Sequence, residues 1–237
     1  MYEEVAPPPP LRGVARCVWR SAASAPKRIV PDGCLDLVVG ASGVFVAGPD
    51  TRAWSSVTGP GEVLHGVRFT PGRAAAVLGV AADELRDHRV PLRELWGHEG
   101  ELLTEQLLSG DLSPAAAIAT RLPDLSPPDP AVVALVARLD AGATRVTEAA
   151  GQVGVAERRL RRRFVQAVGY GPATYLRVSR FQRAVSLAMR APGLAALAAA
   201  AGYADQAHLS RDVRALTGLT PRAYFAGRST VDEVRSA

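Results

Sequence analysis

The sequence predicts an α+β fold. A small β-barrel or sandwich-like domain with a helical segment stands in front, and an all-α domain with two helix-turn-helix motifs joined by a long helix stands behind. Three observations predict this. Short apolar runs between Gly and Pro turns fill the first seventy residues. From Gly72 onward the apolar spacing becomes helical. In the back half, one pattern of residues recurs at a fixed offset of 49.

The front elements follow in order. "RIVPDGCLDLVVG" reads as a strand start, a Pro-Asp-Gly turn and a second strand through Leu35, Leu37, Val38 and Val39. "GVFVAGPD" is a short strand closed by Gly-Pro-Asp. "GEVLHGVRFTPG" alternates Val63, His65, Val67 and Phe69 against Leu64, Gly66 and Arg68. "PGRAAAVLGV" then reads as a short helix and "ADELRDH" as a capped helix with acids in its first turn. "PLRELWGHEGELLTEQLLSG" and "SPAAAIATRL" continue the helical segment, which spans about 72–122. The seam is "LSPPDPA", Leu125–Ala131, where three prolines favour extended backbone. The expected division is a regulatory or dimerisation domain over 1–125, a linker over 126–130, a helical domain over 131–228 and a tail over 229–237. Helices are expected at Pro130–Ala141, Val146–Val153, Ala156–Val168, Pro172–Arg190, Gly193–Ala201, Gln206–Thr217 and Pro221–Ala226.

The totals exclude several classes. With 48% hydrophobic and 22% charged residues over 237 positions, the composition is globular. No apolar run approaches the roughly 20 residues of a membrane helix. The acidic start, Met1-Tyr-Glu-Glu running into Pro7–Pro10, is not a signal peptide, so a cytoplasmic protein is expected. Two cysteines, Cys17 and Cys34, argue against a disulfide framework or an all-cysteine zinc site. No cofactor is expected.

Charge separates the halves. Residues 1–128 carry 12 Lys+Arg against 15 Asp+Glu, while residues 129–228 carry 15 against 6. A basic back half points to a polyanion. The densest charge is "ERRLRRRF", with Arg158, Arg159, Arg161, Arg162 and Arg163 in six positions. Such a run is usually a solvated helix face; a targeting signal is rarely woven into an amphipathic core helix.

The repeat decides between these readings. "LRRRFVQAVGYGPATYL" from Leu160 and "LSRDVRALTGLTPRAYF" from Leu209 match at Leu160/Leu209, Arg162/Arg211, Gly169/Gly218, Pro172/Pro221 and Tyr175/Tyr224. Upstream lie "TEAAGQVGV" and "LAALAAAAGY", shifted by one residue. Alanines (Ala149, Ala150; Ala198, Ala199) let a first helix cross a second closely, Gly154 and Gly202 make the turn, and Gly169 and Gly218 end the second helix. Two such units in a basic domain read as two major-groove binders.

On these residues the back half, about Pro130–Arg228, resembles the DNA-binding domain of AraC/XylS-type transcription regulators. The most specific stretch is "AALAAAAGYADQAHLSRDVRALTGLTPRAYF"; it departs from the family pattern at Asp212 and Val213. The front half is similar, through "VPDGCLDLVV", "FVAGPDTRAW" and "HGVRFTPGRAAAVLGV", to an N-terminal domain found on some of these regulators. The resemblance implies a sequence-specific DNA-binding regulator and no catalysis. Its implied partners are operator DNA, RNA polymerase, a small-molecule effector and a second copy of the chain.

On a helical wheel Leu160, Phe164, Ala167 and Val168 share the core arc. Arg158, Arg161 and Arg162 fall on a second arc, where the resemblance places base contacts. Arginine there can take guanine O6 and N7 bidentately. Arg159 and Arg163 lie farther round and suit phosphates. In the second copy the equivalent positions are Gln206, Ala207, His208, Ser210 and Arg211, with Gln206 suited to adenine. The helix Pro172–Arg190 reads as a spacer with Arg177, Arg180 and Arg183 outward, holding the motifs about one DNA turn, about 34 Å, apart.

Trp19, Asp36, Arg52, Trp54, His65 and Arg68 are the candidate effector-pocket residues in the front domain. A metal site from Asp32, Cys34, Asp36 and His65 has no tight ligand spacing behind it. The alternatives to a regulator are a β-barrel enzyme or DNA-repair protein with a fused DNA-binding domain, and a non-specific architectural binder. The four histidines are scattered, and two cysteines cannot complete a cysteine zinc site.

Overall fold

The computed structural model describes residues 1–22, 27–56, 59, 61–123 and 125–232, with side chains as far as Ala226. Its front is one six-stranded antiparallel sheet in the order β1-β2-β7-β4-β5-β8 and a separate two-stranded ribbon, β3-β6. The strands are β1 (Tyr2–Val5), β2 (Ala15–Ala22), β3 (Lys27–Ile29), β4 (Asp36–Gly40), β5 (Gly43–Ala47), β6 (Trp54–Ser56), β7 (Val63–Phe69) and β8 (Arg89–Pro91). The sheet stays open at β1 and β8, so the front is a sheet faced by a ribbon rather than a closed barrel.

Period-2 alternation sorts the side chains. Leu37, Val39, Val44, Val46, Val67 and Phe69 face α1 (Ala74–Leu78), α2 (Leu92–Ser109) and α3 (Pro114–Ala119), forming one core. Cys17, Trp19, Val38, Phe45 and Leu64 face the other way. β2 changes face midway. The register slips between Ala15 and Cys17, so Ala15 joins the helix-side core and Cys17 the opposite cluster. A β-bulge re-aims a strand in this way.

The helical segment departs from expectation at "ADELRDH". Only a 3-10 turn forms there, Ala82–Glu84. Asp87 turns left-handed at φ 60 and accepts hydrogen bonds from Thr51. The chain then leaves at once as β8, pairing Val90 with Val46. Tertiary pairing overrides the local helix signal. Helix α2 is broken at Gly97, whose φ of 55 and ψ of −133 only glycine adopts readily.

Behind the seam the chain is helical throughout: α4 (Pro130–Asp140), α5 (Val146–Gly151), α6 (Glu157–Val168), α7 (Pro172–Leu187), α8 (Leu194–Ala201), α9 (Gln206–Thr217) and α10 (Pro221–Asp232). One core runs through them, with Leu135, Leu139, Phe164, Phe181, Leu209 and Leu216 fully enclosed. Asp129 caps α4 by accepting from the amides of Ala131 and Val132. Helix α7 stops at Leu187, short of Arg190, and α10 runs past Ala226 to Asp232. Of the expected tail, 233–237 lies outside the described residues.

Candidate nucleic-acid interface and cavity

The duplication holds in three dimensions. α6 and α9 are each 12 residues long and begin 49 positions apart. Equivalent positions are buried: Ala150/Ala198, Leu160/Leu209, Phe164/Val213, Val168/Thr217 and Tyr175/Tyr224. Gly154 and Gly202 take φ 73 and 86 in the turns, and Gly169 and Gly218 close α6 and α9 at φ 98 and 74. The crossing differs in one detail from the expected one. Ala199 is exposed, and Ala201 is the buried alanine beside Ala198.

The N-terminal turns of α6 and α9 are open. Arg158, Arg159, Arg161 and Arg162 are exposed, and among the described residues none has an acidic partner within salt-bridge distance. Arg163 is different: half-buried, it is ion-paired with Asp129 at the seam. Burial disfavours the Asp129 carboxylate, but hydrogen bonds from Arg163 and from the amides of Val132 and Ala131 outweigh it and hold its pKa below the usual value. In α9, Gln206, Ala207 and Arg211 are exposed. Asp205 caps the helix by accepting from the His208 amide at 2.6 Å. His208 packs edge-on against Tyr203, 5.0 Å between centroids, with Nε2 3.7 Å from Asp212. Ser210 donates to the Gln206 carbonyl at 2.8 Å. His208 and Ser210 are therefore engaged within the protein.

The α7 arginines do not point outward. Arg180 and Arg183 turn back onto backbone carbonyls, Arg183 onto those that α4 and α8 leave open at their ends. Arg180 donates to Thr144 O at 2.5 Å; Arg183 donates to Asp140 O and to Ala201 O, both at 3.1 Å. Arg183 thereby ties the helix before the first motif to the first helix of the second. Arg177 Nε is buried with no hydrogen-bond partner among the described residues. A helical wheel places Arg180 and Arg183 away from Phe181, and Arg177 one turn before it on the same side. It cannot show that two helix ends arrive there.

A cavity of about 120 Å³ lies between the sheet's second face and the β3-β6 ribbon. That is room for several waters or one small organic molecule. Trp19, Asp36, Trp54 and Arg68 all line it; Arg52 and His65 do not. Arg52 is exposed. His65 shares its strand face with Val67 and Phe69, pointing away from Arg68, so strand parity alone separates it from Arg68. Tyr2, Lys27, Phe45, Asp50 and Arg89 also line the cavity. Sequence reasoning missed them because they arrive from five separate segments.

Two ion clusters stand in the cavity wall. Arg68 Nε lies 3.2 Å from Asp36 and 3.3 Å from Asp32, and its Nη1 lies 3.2 Å from Glu4. Trp19 Nε1 donates to Asp36 at 2.8 Å. Burial raises the Asp36 pKa to about 6; Arg68 opposes the shift and Asp32 adds to it. Gly66 makes room for the Trp19 indole, because a Cβ there would meet the Leu37 carbonyl and the ring. In the second cluster Arg89 grips Asp50 with both terminal nitrogens, at 2.8 and 2.7 Å, and stacks 3.9 Å above Trp54. Burial also raises the thiols of Cys34 and of Cys17, the latter to about 11, so neither is a thiolate near neutrality. Among the described residues no three His, Cys, Asp or Glu side chains are grouped to hold a metal ion. No helix there is long and apolar enough to cross a membrane.

Known proteins resemble both parts. Residues 149–227 match a family described as a helix-turn-helix domain, and residues 3–91 match a family described as a domain of unknown function (DUF6597). No curated protein matches the chain. Similar solved structures include ToxT from Vibrio cholerae O395, at 10% identity over 88% of this chain and 95% of that one, with a TM-score of 0.46. A 1.65 Å structure of Vibrio cholerae ToxT matches at 9% identity over 94% and 97%, with a TM-score of 0.47. The helix-turn-helix match supports a DNA-binding transcription regulator. Residues 149–227 thus form a helix-turn-helix domain of the AraC type, and residues 3–91 a DUF6597 domain.

Proposed function

We propose that this regulator reads a bipartite operator with α6 and α9 in successive major grooves of one DNA face, and that the cavity in its sheet domain takes a small effector. The observation that carries the DNA reading is the asymmetry along each recognition helix. The N-terminal turns, with Arg158, Arg161 and Arg162 in one and Gln206 and Arg211 in the other, are exposed. The C-terminal ends, at Val168 and Thr217, are buried. Recognition helices present base-reading side chains at that open end.

Within α6, Arg158, Arg161 and Arg162 face base edges and Arg159 meets phosphate. Arg163, already paired with Asp129, serves the fold more than the operator. In α9, Gln206 and Arg211 carry the reading, and His208 positions the helix start through Tyr203 and Asp212. The effector reading rests on four aromatic side chains, Tyr2, Trp19, Phe45 and Trp54, around a partly open cavity with charged groups in its wall. Cytoplasmic residence follows from this role.

Competition between a selected operator and random duplexes at fixed salt tests the proposal. A sequence-specific regulator prefers its operator by about 10³-fold or more. A ratio near one would leave only a non-specific binder.

A further inference from the structure

One short segment touches the cavity and both recognition helices. "GPDTRAW", Gly48–Trp54, joins β5 to β6. On its inner side Gly48, Asp50 and Trp54 line the cavity. On its outer side Pro49 lies against Gly169, the residue that ends α6; a Cβ on Gly169 would collide with Pro49 and with the Ala82 carbonyl. Three residues after Asp50, the Ala53 amide donates to the Leu216 carbonyl, in the last turn of α9, at 2.7 Å. The neighbouring strand β3 repeats the arrangement. Lys27 and Ile29 line the cavity, and Arg28, between them, donates to the Thr217 carbonyl at 2.7 Å. These contacts satisfy carbonyls that the helix itself leaves open.

What holds the segment in place sits in the cavity wall. Asp50 takes both terminal nitrogens of Arg89 and the Trp54 Nε1, the last at 3.0 Å. A Cβ on Gly48 would meet the Leu85 carbonyl, so the start of the segment has no slack. Thr51 is pinned to Asp87 from outside.

We propose that Asp50, Arg89 and Trp54 form a latch that transmits the state of the cavity to the C-terminal ends of α6 and α9 together. The proposal rests on the reading of the cavity as an effector site. With the latch closed, Pro49 supports the end of α6 while Ala53 and Arg28 hold the end of α9, and the two helices keep one relative position. A ligand that displaces Asp50 or the Trp54 ring loosens both ends at once. The N-terminal turns that would read DNA then lose their common frame, although no ligand touches them. Simultaneous engagement of two half-sites depends on that frame.

Amide hydrogen exchange on the full chain tests this, comparing wild type with Asp50→Asn and with Trp54→Phe. Trp54→Phe keeps a ring for Arg89 to stack on and removes only the N–H donor. The expected result is exchange about tenfold faster at residues 165–170 and at 214–219 in both variants, the size expected for losing hydrogen bonds to a charged group. Peptides from α2 and α3 should be unchanged. Faster exchange confined to residues 48–56, with both helix ends unaltered, overturns the latch. So does a uniform rise across the chain in both variants, which would mean that Asp50 merely supports the fold. The exchange result does not depend on an operator, so it separates the latch from the two-groove reading. If DNA competition shows no specificity but both helix ends loosen, the latch stands and the operator reading falls.

Discussion

The two helix-turn-helix motifs share a scaffold and differ in almost everything they show to solvent. α6 and α9 have the same length, the same closing glycine and the same buried positions. Yet α6 exposes four arginines in its first six residues, while α9 offers Gln206, Ala207 and Arg211 and keeps an acid, Asp212, on its inner flank. Burial raises the Asp212 pKa; His208, Arg177, Arg180 and Arg211 pull it back. Capping differs as well. α9 has a side-chain cap from Asp205, whereas Ala156 gives α6 none. The lesson is a division of labour. The repeat preserves what packs and lets the exposed surface diverge, with the denser positive charge on the first motif.

That comparison can be broken in several places. The largest expected effect is on the scaffold. Phe164→Ala opens a void beneath Tyr175, whose ring it meets edge-on at 5.7 Å, and should cost about 3–5 kcal/mol in denaturant unfolding. Val213→Ala, at the equivalent place, removes two carbons rather than a six-carbon ring and should cost less. Equal losses would show that the two cores are not inequivalent in the way the side chains suggest.

Next comes DNA affinity. Arg162→Ala should weaken operator binding by about tenfold or more, and Arg211→Ala by less, in filter-binding or fluorescence titrations at equal salt. A larger loss for Arg211→Ala reverses the ranking. Arg163→Ala should lower stability more than affinity, because its partner is Asp129 rather than solvent.

Smaller effects sharpen the account. Asp205→Ala should cost about 1 kcal/mol of stability by uncapping α9. At Asp36 the folded-state pKa, raised by burial to about 6, lies above the unfolded value of 3.8. The folded state therefore keeps the proton longer, and this group's contribution to stability falls as pH rises from about 4 to 6, then levels. The difference in unfolding free energy between wild type and Asp36→Asn should vary across that window and be flat above it. A flat difference throughout would show that Asp36 titrates normally.

The sequence exposes the repeat because it is local. Leu160 and Leu209, Gly169 and Gly218, and Pro172 and Pro221 mark helix core, helix end and helix start without reference to anything distant. The limits of α9 can be read to the residue from such signals. The cavity is harder. Trp19, Asp36, Trp54 and Arg68 stand out as polar or aromatic residues in apolar surroundings, but Asp50 needs Arg89, 39 positions away, to become half of a latch. His65 was legible and misplaced: its parity with Val67 and Phe69 sets it on the helix side of the sheet. The α7 arginines were invisible in the same sense as Arg89. The partners of Arg180 and Arg183 are carbonyls of the loop after α4 and of the ends of α4 and α8, which become neighbours only after the chain has folded. "ADELRDH" shows the reverse case, a local helix signal overruled because the chain must leave as β8.

The central claim is that two unlike motifs act on one operator. Selecting bound duplexes from a random pool with the full-length chain tests it directly. The account predicts a site of two blocks about one helical turn, about 34 Å, apart. The block read by α6 should be richer in guanine, and Arg162→Ala should relax it alone. A single block, or no enrichment at all, would contradict it.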